Sequence, residues 1–222
     1  LEVGLANGSA KFDMQLIVIP HAEQRLGRGG RDDDGITVIW EYDRDLFDAA
    51  KVERMFAHYQ ALLERWNGTY NLTAVRDPAE MVTRHLLDSL AILPYVQGQT
   101  LADLGTGPGL PGIVLAIAAP GREILLVDSN GKKVRFLREA IRALKLDGVR
   151  AVQSRVEDVQ GQFDCITARA FATLADMLGW GGHLLAPEGV WLAMKGKRPD
   201  DELPGIPAGF ALRGTHVLNV PG

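Results

Sequence analysis

The chain has 222 residues, 46% of them hydrophobic and 23% charged, with a formal charge of −4. That apolar content supports a sizeable core in one or two domains, and no apolar run approaches the ~20 residues of a membrane helix. The single Cys165 excludes an internal disulfide and a multi-cysteine metal site, and five scattered histidines show no ligand spacing. With no signal-type leader in view, the expectation is a cytoplasmic protein with no metal and no membrane partner.

Residues 1–65 read differently from the rest. They hold 8 Lys/Arg against 12 Asp/Glu, whereas 66–222 hold 16 of each. Alternation at Phe12, Met14, Leu16 and Val18 predicts a strand, and Ile36 to Tyr42 a second, with a glycine- and charge-rich loop over 28–35 between them. Asp48 stands where an N-cap would, ahead of a helix over 49–66. Its Val52, Met55, Phe56, Tyr59, Leu62 and Leu63 share one face. After a turn over 71–78, a helix over 79–93 sets Arg84 and Asp88 four residues apart, spaced to pair, with His85 and Ser89 beside them.

The stretch LADLGTGPGLPG, residues 101–112, then reads as the strand, glycine loop and helix start of a nucleotide-type cofactor site. Gly105, Gly107 and Gly109 can take positive φ and carry no Cβ, so backbone can press against a ligand. Pro111 suits the first turn of the helix, whose unpaired N–H groups would face that ligand. A dinucleotide fingerprint needs glycine at position 110, where this chain has Leu110, so an NAD-dependent dehydrogenase is a distant reading. A second acid, Asp128, closes the apolar run from Ile124 and is placed to accept from ribose hydroxyls. The alternative is a glycine-rich turn with no ligand.

Farther on, a helix over 131–146 turns Val134, Leu137, Ile141 and Leu144 inward. Lys132, Lys133, Arg135, Arg138, Arg142 and Lys145 occupy its other faces, as a solvated surface or as RNA phosphate contacts. Strands over 149–155, 163–168 and 190–194 follow. The last two deliver Arg169, and Lys195 with Lys197, to the sheet edge where ligands of open α/β sheets collect. Phe210 to Val220 reads as a sixth strand, with Pro221 and Gly222 beginning a turn.

Two family resemblances divide the chain. "RWNGTYNLTAVRDPAEMVTRHLLDSL", "DLGTGPGLPG", "LLVDSNGKKVRFLREAIRALKL", "VQSRVED", "FDCITARAFATL" and "LAMKGK" together resemble the ribosomal RNA small subunit methyltransferase G family over about 65–221. Residues 11–64 are similar to the C-terminal end of a nonribosomal peptide synthetase condensation domain, without its H-H-x-x-x-D-G motif. The first resemblance implies a class I, Rossmann-like α/β methyltransferase over 49–222, mostly parallel and lacking its last strand, preceded by a small α+β segment over 1–48. It implies S-adenosyl-L-methionine as cofactor, with Asp103 near its methionine end. Gly105, Gly107, Leu110, Asp128 and Arg169 would line the same site, and Val156 and Glu157 its adenine region. It implies 16S ribosomal RNA of the small subunit as partner.

The residues also constrain the acceptor. Methylation of exocyclic amines commonly uses an (Asp/Asn)-Pro-Pro-aromatic motif after the fourth sheet strand, where this chain has Ala168, Arg169, Ala170 and Phe171. Pyrimidine C5 methylation needs a thiolate, and Cys165 falls inside a strand. Guanine N7 needs neither, because its lone pair is free at neutral pH and attack needs only positioning. No general base is therefore expected, and Arg169 and Lys195 are read as cofactor or phosphate contacts. A small-molecule methyltransferase and an inactive fusion that retains the fold are the alternatives.

Overall fold

The computed structural model describes residues 14–20, 36–42, 49–169, 172–218 and 220. The expected cap Asp48 and the post-strand residues Ala170 and Phe171 lie outside them. The chain divides into two compact units between Arg54 and Met55. In the first, β1 (Met14–Pro20) and β2 (Ile36–Tyr42) pair antiparallel as a sheet of their own, in register from Met14 opposite Tyr42 to Pro20 opposite Ile36.

A long helix, α1 (Ala49–Tyr70), leads into the second unit. Within that unit its Tyr59, Leu62 and Leu63 are buried, as their common face predicts. The expected helix over 79–93 is three short pieces. α2 (Pro78–Met81) starts with proline at its first turn and with the Asp77 carboxylate accepting from the Ala79 amide at 2.9 Å. A π-helical turn over Val82–Leu87 follows, then α3 (Asp88–Leu90). Such wide turns gather at functional sites.

Alternating strands and helices then build one five-stranded sheet. β3 (Thr100–Leu104), α4 (Gly112–Ala118), β4 (Glu123–Asp128), α5 (Gly131–Leu144) and β5 (Val149–Gln153) form one half. β6 (Phe163–Arg169), α6 (Leu174–Gly181) and β7 (Leu185–Met194) form the other. The strand order is β5-β4-β3-β6-β7, and every pairing is parallel. This is a Rossmann-like α/β fold. Strands covered on both faces read as unbroken apolar runs, which explains why Ile124 to Val127 are all buried. On one face Ala102, Leu104, Leu125, Val127 and Ile166 pack with Val156, Phe163 and Leu184. Each Val, Leu, Ile or Phe side chain among them contributes about 1.5–3 kcal/mol on full burial.

Chain order runs outward from β3 through β4 to β5, then returns to β6 on the other side of β3. The order in which the chain adds strands reverses between β3 and β6, and the crevice beyond the carboxyl ends of these parallel strands is where such sheets take ligands.

Two expectations need correction here. On α5 the inward positions are Val134, Phe136, Leu137, Ala140 and Leu144, while Ile141 is only half-buried. Among the described residues the expected strand over 210–220 is not formed: residues 210–218 carry no strand, Leu212 is 55% exposed and Val217 86%. Apolar alternation makes a strand only where a neighbour supplies the ladder, and here the side chains find other partners. Phe210 packs where a Cβ on Gly182 would stand, and the His216 ring lies 4.5 Å from that of Tyr95.

Candidate functional site

The loop between β3 and α4 occupies the crevice at the switch point. Its backbone takes positive φ at Gly105 (65°), Gly107 (61°) and Gly109 (99°). Gly107 and Gly112 serve opposite needs. A Cβ on Gly107 would meet nothing closer than the Gly105 carbonyl at 4.0 Å, so its open side is a surface against which a ligand can lie. A Cβ on Gly112 would stand 2.3 Å from Leu126 Cδ2 and 2.8 Å from Asp103 Oδ2, so this glycine lets α4 press onto the sheet.

Contrary to the sequence expectation, the loop does not offer a row of unpaired amides. Thr106 N–H donates to the Val127 carbonyl, and those of Gly109 and Leu110 to the Thr106 carbonyl. Gly107 N–H donates to Asp128 Oδ2 at 3.0 Å, Gly112 N–H to Asp103 Oδ2 at 2.8 Å, and Ile113 N–H to the Gly109 carbonyl. A loop whose amides are spent internally is a poor cradle for pyrophosphate and suits a ligand without phosphate. Leu110 is buried at 3% exposure within this turn, and Pro111 is the N-cap residue of α4, one position before the expected first turn.

The two acids are placed differently. Asp103 is fully buried beneath the loop. It accepts from the Thr106 hydroxyl, the Gly112 amide and, through Oδ1 at 2.9 Å, the Thr167 hydroxyl. Burial pushes its pKa up to about 6 against the pull of those donors. Asp128, also buried at 6% exposure, ends β4 and binds from the side of the loop. Its Oδ1 accepts from the Asn130 amide at 2.8 Å, its Oδ2 from Gly107, and Lys133 Nζ lies 3.5 Å from Oδ2. A carboxylate has about four lone-pair sites, so Asp128 keeps capacity for a further donor. Lys133, expected on an RNA-facing surface, turns instead toward this acid.

The apolar helix face that carries Tyr59 does not reveal its polar end: the fully buried hydroxyl donates to the Pro108 carbonyl of the loop at 2.9 Å. Its ring packs against Phe136 of α5, with centroids 6.4 Å apart. Burial drives its pKa upward, keeping the hydroxyl a donor. Thr167, a polar residue inside an apolar strand, was the legible signal of the network around Asp103.

The strand-end cations are captured. Arg169 Nη1 donates to Asp88 Oδ2 at 2.8 Å and to the Arg84 carbonyl at 3.2 Å, and Nη2 lies 3.3 Å from His85 Nδ1. His85 Nε2 bonds with the Thr73 hydroxyl at 2.8 Å. Asp88 therefore pairs with Arg169 and not with Arg84, which pairs with Glu80 at 3.2 Å. The wide π turn carries the Arg84 carbonyl and Asp88 toward β6. Lys195 Nζ is held by Glu202 at 2.7 and 3.0 Å and by the Ala172 carbonyl at 2.6 Å, while Glu202 also accepts from the Leu174 amide. Lys197 is exposed.

On α5, Lys132, Arg135, Arg138, Arg142 and Lys145 are exposed along one face. Arg142 differs from the others by making a two-bond pair with Glu139 at 2.7 and 3.0 Å. After β5, Val156 is buried in the core and Glu157 is exposed in a short 3₁₀ turn (Val156–Asp158). Cys165 is buried, and burial pushes its thiol up to about 11, which leaves no thiolate for covalent catalysis. Two surface cavities of about 320 and 310 Å³ lie at the other, amino-terminal end of the strands, beside Asp164 and Glu123. Neither includes a glycine-loop residue, and the chemistry favours the carboxyl end. Among the described residues no cluster of three His, Cys, Asp or Glu could hold a metal, and no helix is long and apolar enough to cross a membrane.

Comparison with known proteins bears on this site. The family model described as GidB, rRNA small subunit methyltransferase G, matches residues 52–222. The chain is 61% identical over 166 residues to a ribosomal RNA small subunit methyltransferase G of Stenotrophomonas maltophilia, covering 74% of this chain and 78% of that protein. A protein of the same name from Xanthomonas euvesicatoria is 60% identical over the same shares. Among solved structures, TrmN from Thermus thermophilus is 25% identical with a TM-score of 0.48, over 57% of this chain and 42% of that one.

Proposed function

Because the chain belongs to the rRNA small subunit methyltransferase G family, we propose that it methylates guanine N7 in 16S ribosomal RNA of the small subunit, with S-adenosylmethionine as methyl donor. The single observation that carries the reading is the family match over 52–222, which contains the whole crevice at the switch point. A bound S-adenosylmethionine supplies an electrophilic methyl carbon on a sulfonium. The residues present fit it: the open side of Gly107, the internally paired amides of Thr106, Gly107, Gly109 and Leu110, and the Asp128 carboxylate with capacity for a further donor.

In this reading Gly105, Gly107 and Leu110 shape the seat, and Asp128 accepts from the ribose hydroxyls while fixing the Gly107 amide. Val156 and Glu157 border the adenine. Asp103 is a positioning residue, holding Thr106, Thr167 and the start of α4 from below. Lys133 belongs with Asp128 at the cofactor site. Arg169 edges the cofactor site through its Asp88 pairing, and Lys195 holds the segment before α6 through Glu202. Lys132, Arg135 and Arg138, with exposed Lys197, meet RNA phosphates, and Arg142 contributes less because Glu139 offsets its charge. The chemistry asks for no base and no metal, and a ribosomal RNA substrate sets it in the cytoplasm. The methyltransferase unit runs over 49–222, and residues 1–48 are a condensation-domain-like segment without its catalytic motif.

The test is transfer of labelled methyl from S-adenosylmethionine to small subunits lacking the modification, with the product base identified by mass spectrometry. Label in 7-methylguanine is the expected result; label in another base or in a small acceptor alone rejects the assignment. Arg135→Glu with Arg138→Glu should weaken RNA binding and flatten its salt dependence by about two contacts' worth, with cofactor affinity unchanged. An unaltered salt slope would make that helix face an ordinary solvated surface.

A further inference from the structure

The cation at the end of β6 is neutralised by the helical segment packed beside it. Arg169 has a side chain 21% exposed, and its Nη1 binds Asp88 at 2.8 Å and the Arg84 carbonyl of the π turn. Arg169 is the last residue of β6, directly after Ala168, which pairs with Leu104 of β3 at the start of the glycine loop. The pair therefore stands beside the crevice at the switch point. His85, the other titratable group against the guanidinium, has its pKa lowered chiefly by burial, so it adds no second positive charge at neutral pH.

Methyl transfer to N7 forms a carbon–nitrogen bond from the ring's lone pair, while the electron pair of the carbon–sulfur bond stays on sulfur. No proton is released. The positive charge simply moves from the sulfonium to the purine ring. An unpaired guanidinium at the acceptor side would oppose that movement, whereas one matched by a carboxylate would not. We propose that Asp88 is the counter-ion that makes the acceptor mouth tolerant of a cationic ring, acting on the reaction through Arg169. This rests on the guanine-N7 reading above, and it gives the π turn a purpose: it brings the carboxylate to the end of β6.

The experiment compares wild type, Asp88→Asn, Arg169→Gln and the double variant. Two quantities are read: binding of small-subunit RNA before and after N7 methylation, without cofactor, and kcat. Asp88→Asn should lower kcat about tenfold or more and cut the relative affinity for methylated RNA several-fold. The double variant, with both charges gone, should recover the relative affinity and part of kcat lost by Asp88→Asn. A merely structural role would lower the melting temperature and leave the affinity ratio in place. An unchanged ratio in Asp88→Asn, or a double variant no better than the single one, overturns the proposal. Should Asp88→Asn fail to fold, Arg169→Gln alone must keep the ratio at or above the wild-type level, and a fall there is equally fatal. If wild type itself methylates no guanine N7, the failure belongs to the functional reading and not to the pairing.

Discussion

The two halves of the sheet end their strands in opposite charges and spend them on different partners. On the β3/β4 side, Asp103 and Asp128 bind backbone amides of the loop, at Gly112 and at Gly107 and Asn130. On the β6/β7 side, Arg169 and Lys195 bind side-chain carboxylates, Asp88 and Glu202, brought from elsewhere in the chain. Acids that hold amides dictate the path of the backbone. Cations that hold acids cancel charge and tie distant segments together. The first half is therefore built to shape a seat, and the second to set the electrostatics beside it.

The difference can be broken most severely at Asp103. Asp103→Ala would leave two hydroxyls and an amide unpaired in a dry site, at about 1–3 kcal/mol for each group left unsatisfied, so chemical denaturation should show a loss of at least about 3 kcal/mol. Asp103→Asn tests the charge. The folded carboxyl, at about 6, holds its proton more tightly than the unfolded one at about 3.9, so this group's contribution falls as the pH rises from about 4 to 6. Wild type should show that decline relative to Asp103→Asn, and parallel pH profiles would mean that Asp103 is not proton-loaded when folded.

Asp128→Ala comes next, with a smaller cost to folding and a larger one to binding. Loss of the ribose acceptors should weaken S-adenosylmethionine binding by roughly 1.5–3 kcal/mol in calorimetry. Undiminished affinity would remove Asp128 from the site. Tyr59→Phe deletes one hydroxyl that holds the loop at Pro108 and keeps the ring packing on Phe136. Cofactor affinity should fall by about 0.5–1.5 kcal/mol, and no fall would make the hydroxyl dispensable to the seat. The smallest effect belongs to Lys195→Met. Its ion pair with Glu202 is partly solvated and worth ~1 kcal/mol or less, so stability should drop slightly while cofactor affinity stays level. A large loss of cofactor affinity there would return Lys195 to the binding site and erase the contrast between the two halves.

The sequence by itself determined the alternation of strands and helices from β3 to β6, the switch-point loop and the acids at the ends of β3 and β4, but neither α6 nor the strand-free path of 210–218. Those features are local: glycine spacing, an acid after an apolar run, and period-3.6 faces are written in adjacent residues. It also marked Arg169, Lys195, Lys133 and the basic helix as charged, but not where the charges go. Only the tertiary structure decided that Asp88 leaves Arg84 for Arg169, that Lys133 turns to Asp128 and that Glu202 holds Lys195, because each choice joins elements distant in sequence. The same holds for residues 210–218. Their apolar alternation is local, whereas a strand exists only with a neighbour to complete its ladder, and that neighbour is a property of the fold.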